Sequence, residues 1–469
     1  MTTREIPMIG MAVDRNARST LTDQIAGHIK AAILDGSLPP GARLPSWRDL
    51  AAQLGVARGT IRAAYQKLVD QRVLYTAGSA GTLVALTLPT RPAPALPTTL
   101  PMPGFEALST QPLPFQMGIP ARDAFPATLW ARLHRQAVQS TTLQTGHSDP
   151  RGLPELRSAI ASHVALARGI DCSPDNIIVT TGYRSGLASA LHAIGASGRQ
   201  AWIENPGFPV TRRALEVAGV YPVAVHVDAD GMDVAYGRDL APGAALAIVT
   251  PGQQAPTGVT LSPARRCALQ DWTQQSGAWI VEDDYLGELH LDGRAPNALA
   301  SGSGADRVIH IGTFSKTLAP MVGLGFIVAP PALLRRLTEV ASWLGTPPNL
   351  AVQATLTRFL REGHYLRHLR RMRTLYVERR QLLMDTLVAQ GAGDARAAGL
   401  SVLLPLPNGF DDERLALNAR GNGLAPAPLS PWFASASRAR AGLVLGIANV
   451  RENHVAQDCA TLLTMARRV

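Results

Sequence analysis

Lys316 lies in HIGTFSKTLAP, just past an apolar run and among Gly, Thr and Ser residues. Its background makes it notable: of 45 basic residues only Lys30, Lys67 and Lys316 are lysines, and the other 42 are arginines. A base-composition bias would explain the arginines, but a lysine that persists under it suggests a task a guanidinium cannot do. A lysine amine forms a Schiff base with an aldehyde, which arginine cannot. Thr313 and Ser315, just upstream, are small hydroxylated residues suited to a bound phosphate. An exposed loop lysine is the plainer alternative.

Asp283 and Tyr285 stand two apart in VEDDYLGEL. Residues i and i+2 of a strand share a face, so both are expected at the carboxyl end of one sheet strand, where α/β sheets bind ligands. A carboxylate there can keep a pyridinium nitrogen protonated, and a phenol beside it can hydrogen-bond the ring's oxygen. Clustered acids also occur as ordinary solvated strand ends. TTGYRSGL follows another apolar run and opens a helix, so the backbone amides around Gly182, Tyr183 and Arg184 form a natural phosphate site. Phe208, in ENPGFP, is either a ring that stacks on a flat cofactor or a core residue.

These residues need a scaffold. A chain of 469 residues has room for roughly three domain-sized units at about 150 residues each. With 46% hydrophobic and 17% charged residues it is expected to fold throughout. From about residue 117, helical patterns alternate with the short apolar runs IIVTTG, AWIENPG, LAIVTPG, AWIVEDDY and VIHIGTFS. They read as buried strands of a mostly parallel α/β sheet. No apolar run approaches the roughly 20 residues of a membrane span, and MTTREIPMIGMAV lacks the pattern of a secretory signal. Cys172, Cys267 and Cys459 fit neither a disulfide nor a metal pattern, so a reduced cytoplasmic protein without a metal site is expected.

The first hundred residues follow other rules. Leu21, Ile25, Ile29, Ile33 and Leu34 have helical spacing ended by Gly36, and Ser46 caps WRDLAAQLG, which Gly55 closes. A three-residue turn leads to a helix from Arg58 to Gln71 with Ile61, Ala64, Tyr65 and Leu68 inward; LYTAGSAGTLVA then reads as a two-stranded wing. Two short helices joined by a tight turn make a helix-turn-helix whose second helix enters the major groove. Arg58, Thr60 and Arg62 stand at the start of that helix, where base edges are met, and Arg43, Ser46 and Arg48 are placed for phosphates. A net charge of +10 favours an anionic partner.

On ILDGSLPPGARLPSWRDLAAQLGVARGTIRAAYQKL, residues 19–85 resemble the GntR-type winged helix-turn-helix, mostly α with a β wing. That resemblance implies double-stranded DNA contacts through Arg43, Ser46, Arg48, Arg58, Thr60, Arg62 and the wing around Gly81. Trp47 and Ala57 depart from the small polar residues expected there. Residues 1–18 form a tail, and residues 86–116 a proline-rich linker. On HSDPRGLPELRSAIASHVALARGI, IIVTTGYRSGL, TPGQQAPTG, VEDDY and GTFSKTLAP, residues 117–469 resemble the fold-type I, pyridoxal-phosphate-dependent aminotransferases. The resemblance implies pyridoxal 5'-phosphate with Lys316 as the Schiff-base lysine, Asp283 on the pyridinium, Tyr285 on the phenolic oxygen and Phe208 stacked. Gly182, Tyr183, Arg184 and Thr313 would hold the phosphate.

The order of the parts resembles the MocR-type transcriptional regulators; Ala255, where ordinary aminotransferases carry asparagine, supports that branch. The resemblance implies a homodimeric, PLP-dependent regulator in which a small amine or amino-acid effector, or the cofactor itself, sensed at Lys316 alters DNA binding. Two alternatives stay open: an active aminotransferase with an accessory DNA-binding domain, and a regulator whose body is only a dimerisation scaffold. Three departures from the aminotransferase pattern stand out. Gly323 replaces a phosphate-binding arginine, Val444 the arginine that grips a substrate carboxylate, and His147 the tyrosine lent across a dimer. Arg184 is expected to replace the missing phosphate cation; unless another arginine such as Arg438 or Arg440 reaches in for a carboxylate, efficient transamination is not expected.

Overall fold

Leu21, Ile25, Ile29 and Ile33 recur at helical spacing, and the segment folds as helix α1 (Leu21–Leu34) with the three isoleucines buried. Ser46 caps α2 (Trp47–Leu54), accepting from the Asp49 amide at 3.2 Å, and Gly55 ends it in the left-handed conformation at φ 61°. Helix α3 (Arg58–Asp70) stops one residue short of the expectation, with Gln71 as its cap, and buries Ile61, Ala64, Tyr65 and Leu68 against α1 and α2. Strands β1 (Leu74–Thr76) and β2 (Thr82–Val84) pair antiparallel, Leu74 opposite Val84, and make the wing.

The computed structural model describes residues 13–14, 19–34, 37–78, 81–85, 112–141, 149–302, 304–435 and 439–467. The chain divides into two units, 1–103 and 104–469. Gly36, most of the proline-rich stretch, His147 and Arg438 lie outside the described residues.

The second unit opens with α4 (Ala127–Thr141) and α5 (Pro154–Arg168), followed by β3 (Ile177–Thr180) and α6 (Tyr183–Ile194). Next come β4 (Gln200–Asn205), α7 (Pro209–Val217), β5 (Tyr221–Asp228), β6 (Gly231–Met232), α8 (Val234–Leu240) and β7 (Leu246–Val249). After α9 (Pro263–Ser276) run β8 (Trp279–Asp284), β9 (Val308–Thr313) and β10 (Gly325–Val328). The strands form one sheet in the order β3-β10-β9-β8-β7-β4-β5-β6. Strands β4, β5, β7, β8 and β9 are mutually parallel; β10 runs against both β9 and β3, which puts β3 parallel to the rest. The carboxyl ends of β3, β9, β8, β7 and β4 therefore gather on one edge, the edge where such sheets place ligands.

Four of the five apolar runs are strands buried at nearly every position; AWIENPG becomes β4, exposed only at Gln200. Helices α10 (Pro331–Trp343), α11 (Leu350–Arg361) and the 26-residue α12 (His364–Ala389) lead out of the sheet. A second, antiparallel sheet closes the chain: β11 (Arg396–Ala398), β12 (Ser401–Pro405), β13 (Ala427–Pro428) and β14 (Gly442–Gly446), in the order β11-β12-β14-β13. Helices α13 (Asp412–Gly421) and α14 (Val455–Ala466) complete the unit. Among the described residues no helix is long and apolar enough to cross a membrane.

Candidate functional site

Lys316 follows β9 by three residues and is half-buried. Its amine donates to the Gly118 carbonyl at 2.6 Å, a contact spanning 198 residues of chain. Gly118 adopts φ +76°, a conformation that favours glycine, and a Cβ there would lie 2.7 Å from that nitrogen and displace it. Burial lowers the Lys316 amine below the usual lysine range, while Asp283 draws it the other way. A buried amine is biased towards its neutral, nucleophilic form.

Three consecutive acids end β8, and strand alternation separates them. Glu282 and Asp284 share one side. Asp284 pairs with Arg168, Nε to Oδ2 at 2.6 Å; Glu282 accepts from the Leu299 amide at 2.7 Å and bonds His310 at 2.9 Å. Burial pushes the Glu282 carboxyl up, but His310, the Leu299 amide and Arg168 outweigh it and hold the group below its usual range.

Asp283 faces the other way and is 6% exposed, with an Oδ1 that has no hydrogen-bond partner. Burial pushes its carboxyl well above the ordinary value, and the Asp284 and Glu204 carboxylates push the same way; the Tyr183 hydroxyl and Lys316 oppose them. A buried acceptor without a donor is costly. A flat ring bearing a protonated nitrogen supplies the missing donor. Tyr285 lies in the bend just past β8 rather than within it, half-buried, and makes no hydrogen bond among the described residues.

Tyr183, the first residue of α6, brings its amide to that helix's start, beside Gly182 at φ 113°. Its side chain, however, does not turn to a phosphate: the hydroxyl bonds the Thr211 hydroxyl at 2.8 Å and acts on Asp283. Arg184 is exposed at the second position of the same helix. Thr313 ends β9 opposite Gly325 of β10, which is opposite Thr180 of β3, so Thr313 and Gly182, two residues past β3, lie at the same end of strands that flank β10. The Thr313 hydroxyl accepts from the Ser315 amide at 3.2 Å. Phe208 is half-buried and caps α7, its ring 5.9 Å from that of Trp432.

Glu204 carries no signal of its own in the sequence. It is buried at the end of β4, accepting from the Thr250 hydroxyl at 2.6 Å and the Thr250 amide at 3.1 Å. Burial pushes it up to about 7 against those bonds. Gln254 donates to Glu204, to Pro206 and to Ala255, tying the PGQQAPTG loop to β4.

The departures from the aminotransferase pattern have local reasons. Gly323 adopts φ +56° after a tight turn, a conformation arginine rarely takes. Val444 is fully buried in β14, paired with Leu403 and Ala427, and brings no cation. Arg440 is exposed.

In the first unit, Arg48, Arg58 and Arg62 are exposed and Thr60 is half-buried. Arg43 is half-buried, pairing with Leu83 of the wing; a Cβ on Gly81 would lie 3.2 Å from its Nε. Ser46 spends its hydroxyl on the α2 cap, donating to the Asp49 carboxylate at 2.6 Å. Trp47 is 38% exposed, with the Arg48 guanidinium carbon 4.9 Å from its ring centre.

Comparisons with known proteins divide the chain in the same way. Residues 21–84 match the family described as bacterial regulatory proteins, gntR family, and residues 116–405 match aminotransferase class I and II. The probable rhizopine catabolism regulatory protein MocR of Rhizobium meliloti is 34% identical over 460 residues, covering 94% of this chain and 92% of that protein. The HTH-type transcriptional regulator TauR of Rhodobacter capsulatus is 31% identical, covering 93% and 94%. The pyridoxine biosynthesis transcriptional regulator PdxR of Corynebacterium glutamicum is 32% identical, covering 80% and 81%. Among solved structures, an archaeal alanine:glyoxylate aminotransferase superposes with a TM-score of 0.70 at 22% identity, covering 77% of this chain and 92% of that one.

Proposed function

The chain belongs to the family of GntR-headed, aminotransferase-bodied transcriptional regulators typified by MocR, and from that premise we propose that it binds pyridoxal 5'-phosphate at Lys316 and adjusts its hold on an operator when a small amine or amino-acid-like effector, or the cofactor itself, occupies that site. The observation that carries this reading is the buried, donor-less Oδ1 of Asp283 within electrostatic reach of the half-buried Lys316 amine. The donor set fits the cofactor: a carboxylate for a ring nitrogen, an amine for an aldehyde, and a helix start for a phosphate.

When bound, pyridoxal phosphate supplies an aldehyde carbon open to amines and a ring that withdraws electrons. The protein's own groups do the rest. Asp283 would accept a hydrogen bond from the ring nitrogen and so keep the proton on that nitrogen. Lys316, biased towards the neutral amine by burial, would be the residue that holds the aldehyde. Phe208 would lie against the ring and Tyr285 would serve its phenolic oxygen. The amides at Gly182, Tyr183 and Arg184, with the Thr313 and Ser315 hydroxyls, would hold the phosphate, and the Arg184 guanidinium would supply the cation Gly323 lacks. With Val444 buried, no cation takes a substrate carboxylate from β14, which argues against efficient transamination.

The regulator acts on double-stranded DNA as a cytoplasmic homodimer, two winged helices reading two half-sites through Arg58, Thr60 and Arg62, with Arg43, Ser46, Arg48 and the Gly81 wing on the backbone. The effector must bind two states of the body with different affinities to shift them. Borohydride reduction of the purified protein followed by peptide mapping tests the premise. Label is expected on the peptide holding Lys316 and absent from Lys316→Ala; a wild-type protein with no label there overturns the reading.

A further inference from the structure

Helix α12 carries a concentration of charge that the proposed site does not use. Its first half, HYLRHLRRMRTL, holds Arg367, Arg370, Arg371 and Arg373 and no acid; the helix's first acid is Glu378. All four arginines are exposed, and none makes an ion pair among the described residues. Arg367 and Arg373 donate only to neutral groups, Arg367 to the Glu362 carbonyl at 3.1 Å and to His364, and Arg373 to the Gly293 carbonyl at 2.7 Å. Arg367, Arg370 and Arg371 stand at i, i+3 and i+4, so they share one face and repel one another. Arg367 also lies in the first turn, at the positive dipole end of the helix, where cations are disfavoured. Such an arrangement gains only if an anion covers it.

The opposite side of the helix is rigidly seated. Tyr365, His368, Leu369, Met372 and Tyr376 are buried. Tyr365 bonds the Thr317 hydroxyl at 2.9 Å and His368 the Thr317 carbonyl at 2.7 Å, so the helix holds the residue next to Lys316.

We infer that the Arg367–Arg370–Arg371 face of the body is a second DNA contact, binding backbone phosphates without reading sequence. Guanidinium groups spaced along a helix suit a row of phosphates, and duplex DNA is the polyanion that the first unit brings to this chain. The inference rests on the DNA-binding reading above. It adds that the body, not the winged helices alone, supplies part of the salt-dependent affinity, from the helix whose inner side grips the lysine loop.

The test uses the full-length, cofactor-loaded protein and a mixed-sequence duplex of about 60 base pairs, titrated from roughly 50 to 200 mM salt. Arg367→Ala/Arg370→Ala/Arg371→Ala is expected to bind roughly tenfold or more weakly at the low-salt end, and its salt slope to fall by about 2 to 3. The triple lysine variant should retain most of both. Unchanged affinity and slope in the alanine variant, with Arg58→Ala/Arg62→Ala still weakening binding, overturn the inference and leave the regulator reading standing. A wild-type protein that binds no duplex overturns both.

Discussion

Arg48, Arg58 and Arg62 of the first unit stand in water, while Glu204, Glu282 and Asp283 of the body are buried, each below 9% exposed. Exposed charges cost little and act by number, so a DNA-reading head can be built from interchangeable arginines. Buried charges are expensive unless each finds a partner, so the body surrounds its carboxylates with Arg168, His310, Thr250 and backbone amides. Against that background the one buried carboxylate oxygen left without a partner among the described residues, on Asp283, is the informative one. In the head, function follows from what is displayed; in the body it follows from what is left unsatisfied.

The contrast breaks most visibly at Arg168. It is 1% exposed and holds Asp284 in a two-point pair with a further bond to the Pro296 carbonyl at 2.9 Å. Arg168→Ala leaves Asp284 buried without its cation and should lower the stability of the body by about 3–5 kcal/mol. Arg58→Ala, removing an exposed arginine, should change stability by less than about 0.5 kcal/mol. Urea unfolding of the two variants checks the pair of values. Similar losses in both would remove the distinction between the units.

A pH series sharpens the same point. Burial raises Glu204 from 4.5 to about 7. Between those values the native protein keeps a proton that the unfolded chain has released, so stability falls as pH rises across that interval. The full effect is on the order of 3 kcal/mol. Asp283, raised by burial, Asp284 and Glu204, adds a slope of the same sign in the cofactor-free protein. Glu204→Gln keeps the shape and removes one titrating group, so the decline between pH 4.5 and 7 should shrink by Glu204's share. Equal slopes in variant and wild type would show that Glu204 stays ionised in the fold.

Much of this was legible in the sequence where the cause was local. The caps at Ser46 and Gly55, the inward stripe of α3, the wing and the five apolar strand runs depend on residues a few positions apart, and they fold as read. Lys316 was legible for a different reason, its rarity among arginines. What stayed hidden spans long stretches of chain: Lys316 to Gly118, Arg168 to Asp284 across 116 residues, and Glu204 to Thr250 across 46. No periodicity encodes such pairings. Tyr183 is another case: its place at a helix start speaks for its amide, but nothing nearby in the sequence says that its side chain reaches Thr211 and Asp283. Strand β5, with only one fully buried position, and the short strands β11 and β13 lack the continuous apolar runs that marked the other strands.

The smallest expected effect concerns Ser46, where the two ways of using a polar group meet in one side chain. Its hydroxyl accepts from the Asp49 amide and donates to the Asp49 carboxylate, which makes it a helix cap, yet it is exposed and is one of the residues proposed to meet the DNA backbone. If the cap is its main work, Ser46→Ala should cost the first unit about 1 kcal/mol. Ser46→Asn, another good cap, should restore most of that. DNA affinity would then follow stability in both variants. If the hydroxyl instead meets a phosphate, Ser46→Ala should weaken DNA binding and lower its salt-independent part while leaving the unfolding midpoint of the unit where it was. Measuring both quantities on the same two variants decides between them, because a cap acts on the folded head whether or not DNA is present.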